Sequence, residues 1–412
     1  MADEQSDIAE AGSTQSTAAH STNSADSGVG NESSHQRENG GVSAAATAAS
    51  SPEQAAPSFI PTIEDAYAAR EHFSEYGVMR TPLIRLNVDM VRVAQDGMCG
   101  GMMEVYLKLE NLQPIGSFEL RGASYALATA EKEKLQRGIV TASTGNFAQG
   151  LAACAKRKGY PISVVVPDYA PIIKHSALER LGASVRRVPF EQWWEVLVHQ
   201  KFPGLEDQHF IRPSGKREIL AGNATLALEI LEDLPDVDAI VVPYSSGGLC
   251  LSVGSVLQAR KPDTRLIACE VNTSTPLNNA LLAGRPFYCQ HSPSFVDGLG
   301  FNTVLPEVWP HVQRMITTTA RVSLNDTARA IRLMVERNHV VAEGAGAAPV
   351  AAALTGQAGP GKVVCVVSGG NIDATVLADV LQGIVPMPSG RPDARHGGGL
   401  GGNNGRQTET SL

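Results

Sequence analysis

No stretch of 18 or more consecutive apolar residues occurs in the chain, so no membrane-spanning helix is encoded. The six cysteines, Cys99, Cys154, Cys250, Cys269, Cys289 and Cys365, include no C-x-x-C pair, which argues against a zinc ribbon or a thioredoxin-type dithiol. They read as buried, reduced thiols of a cytoplasmic protein. Aromatic residues make up only 5% of the chain, and none precedes Phe59. Basic residues are almost missing from the same stretch. Residues 1–57 carry eight Asp and Glu against Arg37 alone and are otherwise rich in Ser, Ala, Thr, Asn and Gly. Such a segment buries too little apolar surface to offset its ordering entropy and is expected to be disordered. It has neither the apolar core of a secretory signal nor the basic character of a mitochondrial transit peptide. Most of the formal net charge of −8 lies here. The remainder is close to neutral and has no basic stripe, so nucleic acid is not an expected partner. Residues 388–412, rich in Gly, Asn and Arg, form a second expected disordered tail.

What is present between the tails is an alternation of short apolar runs and helical patterns. Candidate strands are Ile139–Ala142, Ile162–Val166, Ala239–Val242, Arg265–Cys269 and Val363–Val367. Their nearly continuous hydrophobicity suits central strands of parallel sheets covered on both faces. Candidate helices are Arg121–Gln136, Ala148–Arg157, Ile173–Leu181, Ala224–Leu231 and Leu324–Asn338. Several strands run into Gly/Ser/Asn turns just ahead of a helix. This βαβ order predicts an α/β protein with mostly parallel sheets flanked by helices, and ligands at the carboxyl ends of the strands.

Three such turns carry candidate chemistry. Ser143-Thr144-Gly145-Asn146-Phe147 follows a strand and opens a helix, where backbone N–H groups and the helix dipole face an anion. Taken alone, it reads more readily as an Asn-capped helix start than as a binding site. Ser245-Ser246-Gly247-Gly248-Leu249 follows the strand that ends at Pro243, and Ser368-Gly369-Gly370-Asn371 follows the strand that ends at Val367. Glycine in such turns allows φ > 0 and close approach of the backbone to a ligand.

These turns belong to five segments in fixed order: GSFELRGA, STGNFAQG, AGNATLALEILEDLPDVDAIVVPYSSGGL, VAEGAGAA and SGGNID. Spread over roughly 250 residues, they resemble the serine/threonine dehydratases, that is, threonine ammonia-lyases and serine racemases among the fold-type II pyridoxal-phosphate enzymes. The resemblance implies the tryptophan synthase β-like two-domain fold. A large cofactor domain is expected at 58–140 and 214–387, a small substrate domain at 141–213, and a homodimer. In the family the first segment ends in Gly-Ser-Phe-Lys, and the lysine forms the Schiff base with the cofactor and moves the substrate Cα proton. The matching residue here is Glu119, next to Phe118. A carboxylate cannot form an imine.

The resemblance implies roles for other positions. Ser143, Thr144, Gly145 and Asn146 would hold a substrate carboxylate, Asn146 would bond the cofactor's 3′-oxygen, and Thr144 matches the second acid/base of serine racemases. Ser245, Ser246, Gly247, Gly248 and Leu249 match the phosphate loop, with two of its four glycines replaced by serine. Ser368 matches the contact to the pyridine nitrogen. The positions matching a cation site are Glu270, Ser274 and Pro276, and proline offers no side-chain ligand, so no metal is expected. Glu119 itself reads either as a base with a raised pKa or as a buried carboxylate paired with Arg121 or Lys174.

Two functions remain open at this point. One is a pseudoenzyme that keeps the fold and binds a small amino acid, with pyridoxal phosphate held non-covalently or lost. The other is an active ammonia-lyase on a small hydroxy amino acid with Glu119 as base. Independently of that choice, deletion of residues 1–56 is expected to leave the melting temperature unchanged within about 2 °C in a thermal scan.

Overall fold

The computed structural model describes residues 59–88, 91–92, 101–143, 145–168, 172–213 and 215–386, with backbone alone at 91–92, 172–175 and 190. Both expected tails, Cys99, Thr144 and the Lys174 side chain therefore lie outside the described residues.

Eleven strands are described: β1 Leu83–Arg85, β2 Val91–Arg92, β3 Met102–Leu109, β4 Ile139–Ala142, β5 Ile162–Pro167, β6 Ser184–Val188, β7 His209–Phe210, β8 Ala239–Pro243, β9 Arg265–Val271, β10 Thr318–Val322 and β11 Gly361–Val367. Seven form one sheet in the order β1-β3-β11-β8-β9-β10, with β2 also on β3. Only β1 and β2 run antiparallel to their neighbour. The other four form a fully parallel sheet in the order β6-β5-β4-β7.

The central strands of the large sheet are buried on both faces, as their apolar sequences require. Along β11, Val363, Cys365 and Val367 enter one core while Val364 and Val366 enter another. Ala239 and Val241 alternate with Ile240 and Val242 in the same way along β8. This is the period-two side-chain alternation of a strand with no solvent face.

Two of the expected helices differ from the sequence reading. The stretch from Arg121 to Gln136 is two helices, Glu119–Thr129 and Lys132–Arg137, because Ala130 and Glu131 are extended. The break turns the chain into β4. The helix expected over Ala224–Leu231 runs from Arg217 to Asp233. Gly222 and Asn223 look like breakers in the sequence, yet Gly222 is required by packing. A Cβ there would collide with the carbonyl oxygen of Arg121, and a Cβ on Gly122 would lie 2.9 Å from the Ile219 carbonyl oxygen. The two helices thus cross glycine on glycine.

A buried ionic cluster fixes that crossing. Arg121 donates from Nε and Nη2 to the two carboxylate oxygens of Glu110, each at 2.7 Å. It also donates from Nη1 and Nη2 to Glu229 at 2.7 and 2.9 Å. Lys108 Nζ completes the set at 2.6 Å from Glu229 and 2.7 Å from the Thr81 carbonyl. Two cations and two anions are therefore mutually neutralised inside the core. Burial pulls the Lys108 pKa down more than its carboxylate neighbours lift it. For Glu110, burial pushes up, but Arg121 reverses this and holds the carboxyl below its usual range. The pairing expected between Glu119 and Arg121 is absent, since this guanidinium is taken up by Glu110, Glu229 and Thr225.

Removing one member leaves an uncompensated buried charge. Glu229→Ala is expected to destabilise the fold by about 3–5 kcal/mol. Breaking the exposed Arg332–Glu336 pair, also at 2.7 Å, should cost less than about 1 kcal/mol. Urea midpoints of Glu229→Ala and Glu336→Ala measure the difference; equal shifts would contradict the role given to the cluster.

Candidate active site

Four strand ends converge on one cavity. After β3 the chain passes through a short 3₁₀ turn, Glu110–Leu112, to Gly116, whose φ is +78°. It then pairs with the turn that follows β11. Phe118 N donates to the Ser368 carbonyl at 3.0 Å, Gly370 N donates to the Gly116 carbonyl at 2.8 Å, and Ser117 bridges Gly369. This stitching brings Ser368 and Glu119, the first residue of its helix, to the same wall of the cavity.

Glu119 is partly buried, and its Oε2 is shut from solvent with no hydrogen-bond partner. Its position in the first helical turn favours a carboxylate. Burial outweighs that preference and, helped by repulsion from Glu343, pushes the pKa up to about 8. Ser117 pulls the other way, but its hydroxyl also lacks a well-formed hydrogen bond, so desolvation prevails.

The turn after β4 contributes Asn146 and Phe147 to the same cavity. Gly145, not Asn146, caps the helix Asn146–Lys158, and no side chain caps it. Asn146 is instead committed to other partners. Its Nδ2 donates to Glu343 Oε1 at 2.8 Å, and its Oδ1 accepts from Asn371 Nδ2 at 2.9 Å. Glu343 precedes the helix Gly344–Leu354, and its backbone N donates to the Gly369 carbonyl at 3.0 Å. Gly346 is required there, because a Cβ would lie 2.6 Å from the Gly369 oxygen.

The turn after β8 closes the cavity. Gly247 has φ +91° and caps the 13-residue helix Gly248–Arg260. The first turn of that helix presents backbone N–H groups that have no intrahelical acceptor. Ser245, Ser246, Gly248 and Leu249 line the same wall.

The cavity has a volume of about 190 Å³. A glycine turn with positive φ, free amides at a helix N-terminus and two flanking hydroxyls fit a phosphate group. Ser368, nearly buried on the wall shared with Glu119, fits a neutral hydrogen-bonding contact to an aromatic ring nitrogen. Elsewhere, Glu270 is spent on the fold: its carboxylate accepts from the amides of Leu277 and Asn278 at 2.8 and 2.9 Å, at the start of the helix Pro276–Ala283. Burial raises its pKa to about 7. Among the described residues, no group of three or more His, Cys, Asp or Glu is placed to hold a metal, and no helix is long and apolar enough to cross a membrane.

The sequence profile of pyridoxal-phosphate dependent enzymes matches residues 75–369. The chain belongs to this family. It is 36% identical to the L-threonine ammonia-lyase of Thermotoga maritima over 283 residues, 68% of this chain and 70% of that one. It is 31% identical over 326 residues to a catabolic L-threonine dehydratase of Staphylococcus aureus, covering 78% and 91% of the two chains. The structure of maize serine racemase superposes with a TM-score of 0.68 at 27% identity, covering 78% of this chain and 97% of that one. Fold-type II architecture and a pyridoxal-phosphate-dependent ancestry are thus shared with threonine dehydratases and serine racemases.

Within this family frame, the structure gathers Phe118, Glu119, Asn146, Ser368 and the turn Ser245–Leu249 around one space. Ser143 and Gly145 adjoin it through the turn after β4, where Gly145 N donates to Ser143 Oγ at 3.3 Å. Glu343 and Asn371 were not singled out from the sequence, although both lie in quoted segments. Their signal was position within VAEGAGAA and SGGNID; their partner Asn146 is nearly 200 residues or more away in sequence.

The raised pKa of Glu119 has a measurable consequence. In the native state it keeps its proton after the unfolded chain has lost its own. Stability therefore falls as pH rises from about 4.5 to about 8, by at most about 1.4 kcal/mol per unit, and levels off above. Glu119→Gln should remove this decline and become more stable than the wild type by about pH 9. Urea titrations of both proteins across that window test it; parallel pH profiles would contradict the assignment.

Proposed function

We propose that this chain is a threonine dehydratase-like protein that has lost Schiff-base attachment of pyridoxal phosphate, and that its cavity binds the cofactor non-covalently together with a small amino acid. The observation that carries this reading is a carboxyl, Glu119, on the cavity wall beside Ser368, at the position matched to the family lysine. No lysine is among the described residues lining the cavity. The turn Ser245–Gly248 would hold the phosphate, Ser368 the ring nitrogen, and the Ser143–Asn146 turn the amino-acid carboxylate. When bound, the cofactor supplies an electron sink for a carbanion at the amino-acid Cα.

The residues themselves do little to drive turnover. Glu119 cannot tether an aldehyde, and Asn146 is already engaged by Glu343 and Asn371. Phe118, Phe147 and Leu299 give the cavity an apolar lining that excludes water.

One observation favours a second reading. A carboxyl with a pKa of about 8 is matched to proton transfer near neutrality. In that reading Glu119 takes the Cα proton of a small hydroxy amino acid, and the chain is a working ammonia-lyase.

Keto-acid release from L-serine and L-threonine, with added pyridoxal phosphate, separates the two. If the chain is silenced, Glu119→Lys should exceed the wild type by about 10²-fold or more, the usual contribution of a positioned acid/base. Borohydride reduction and peptide mass analysis should find the phosphopyridoxyl group on residue 119 of the variant and on no cavity lysine of the wild type. Wild-type turnover equal to the variant's would establish the second reading.

A further inference from the structure

The helix Arg217–Asp233 gives the cavity lining the side chains of Ile219, Leu220 and Asn223. Asn223 is the polar one of the three, and only 5% of it is exposed. Its Oδ1 is shut from solvent without a hydrogen-bond donor. That oxygen abuts Gly122, where a Cβ would come within 2.8 Å of it. Among the described residues its Nδ2 has no acceptor either. A buried amide in mid-helix with neither half satisfied destabilises the empty protein and calls for a partner. With the oxygen turned to Gly122, Nδ2 is the polar atom left for the cavity. The surroundings point to the partner's chemistry. Leu220, one turn earlier on the same face, has its Cδ2 3.5 Å from where a Cβ on Gly248 would be. This stretch of helix therefore packs against the turn Ser245–Leu249, where Gly247 and the first amides of the helix Gly248–Arg260 offer donors to an anion.

We propose that Asn223 is a phosphate-binding residue of this cavity, its Nδ2 donating to a terminal oxygen of the cofactor phosphate. The inference rests on the non-covalent cofactor site proposed above and adds to it a donor that lies outside the turn Ser245–Leu249. A phosphate monoester presents several strong acceptor oxygens. The amides of one helix start approach them from one direction and leave lone pairs to other donors. A side-chain amide on a second helix supplies such a donor, and hydrogen bonds to an ionised acceptor are the strong ones. The other parts of the ligand have different partners. The ring nitrogen falls to Ser368, and the amino-acid carboxylate falls to the Ser143–Asn146 turn, which opens another helix. In the absence of a ligand an apolar side chain of the same shape would suit the position better, so the amide is there for what the cavity binds.

Pyridoxine 5′-phosphate and pyridoxine are the probes, because they differ only in the phosphate and carry no aldehyde to react with surface lysines. Isothermal titration of the full chain is compared with that of Asn223→Leu, which keeps the shape of the side chain and removes both polar atoms. The variant is expected to bind pyridoxine 5′-phosphate about tenfold more weakly, the loss of one hydrogen bond to a charged group, with its affinity for pyridoxine, read by competition, unchanged. Asn223→Asp sets a carboxylate against the phosphate and should weaken binding by about a hundredfold or more. The phosphorus NMR resonance of bound pyridoxine 5′-phosphate should shift between wild type and Asn223→Leu. Ligand-free Asn223→Leu should melt no lower than the wild type, because it removes an unpaired buried amide. Unchanged affinity for the phosphorylated probe, an equal loss for both probes, or an unmoved phosphorus resonance would overturn the inference while leaving the non-covalent site in place. A variant that melts lower and loses both probes alike would make Asn223 a packing residue only. If pyridoxine 5′-phosphate does not bind the wild type, the non-covalent cofactor site itself fails and takes the inference with it.

Discussion

The arrangement that everything else leans on is the buried quartet of Lys108, Glu110, Arg121 and Glu229. It ties the end of β3 to two helices that are far apart in sequence. Such a cluster is costly to assemble, since each ion gives up its hydration, and stands only because each charge is met at hydrogen-bond distance. With that requirement satisfied, the helix beginning at Glu119 has one place to lie. The glycine contact between Gly122 and the 217–233 helix then sets how closely the two can approach.

The cavity follows from this frame and from the parallel sheet. Parallel strands deliver their carboxyl ends to one side, and the turns after β3, β4, β8 and β11 meet there. The backbone ladder between 116–118 and 368–370 joins two of these turns, while Asn146 joins the small sheet to Glu343 and Asn371. The polar groups of the site are therefore held mostly by one another.

Much of this was legible in the sequence, for definite reasons. The five apolar runs expected as strands lie in β4, β5, β8, β9 and β11, because strands buried on both faces show little but Val, Ile, Leu, Ala and Cys. β3 was invisible because Lys108 interrupts its apolar pattern, and that lysine is tolerated only through Glu229, 121 residues away. The helix start at Arg217 was missed because Gly222 reads as a breaker until the Arg121 carbonyl is seen against it. The turn residues of the site could be picked out one by one. What could not be read was the charged neighbour of Glu119: Arg121 is close in sequence but belongs to another cluster in space, whereas Glu343 is remote in sequence, shares its cavity and repels it.

Residues 119 and 121 stand on the same turn of one helix, yet one faces the cavity and the other the core. The groups that keep the chain folded and the groups that decide what it can hold are thus different groups, separated by a single intervening residue. A change at 119 leaves the quartet untouched, so a lineage can trade one chemistry for another at this wall without first risking its fold. A change at 121 has no such freedom. The site is, in that sense, an interchangeable fitting on a frame that is not.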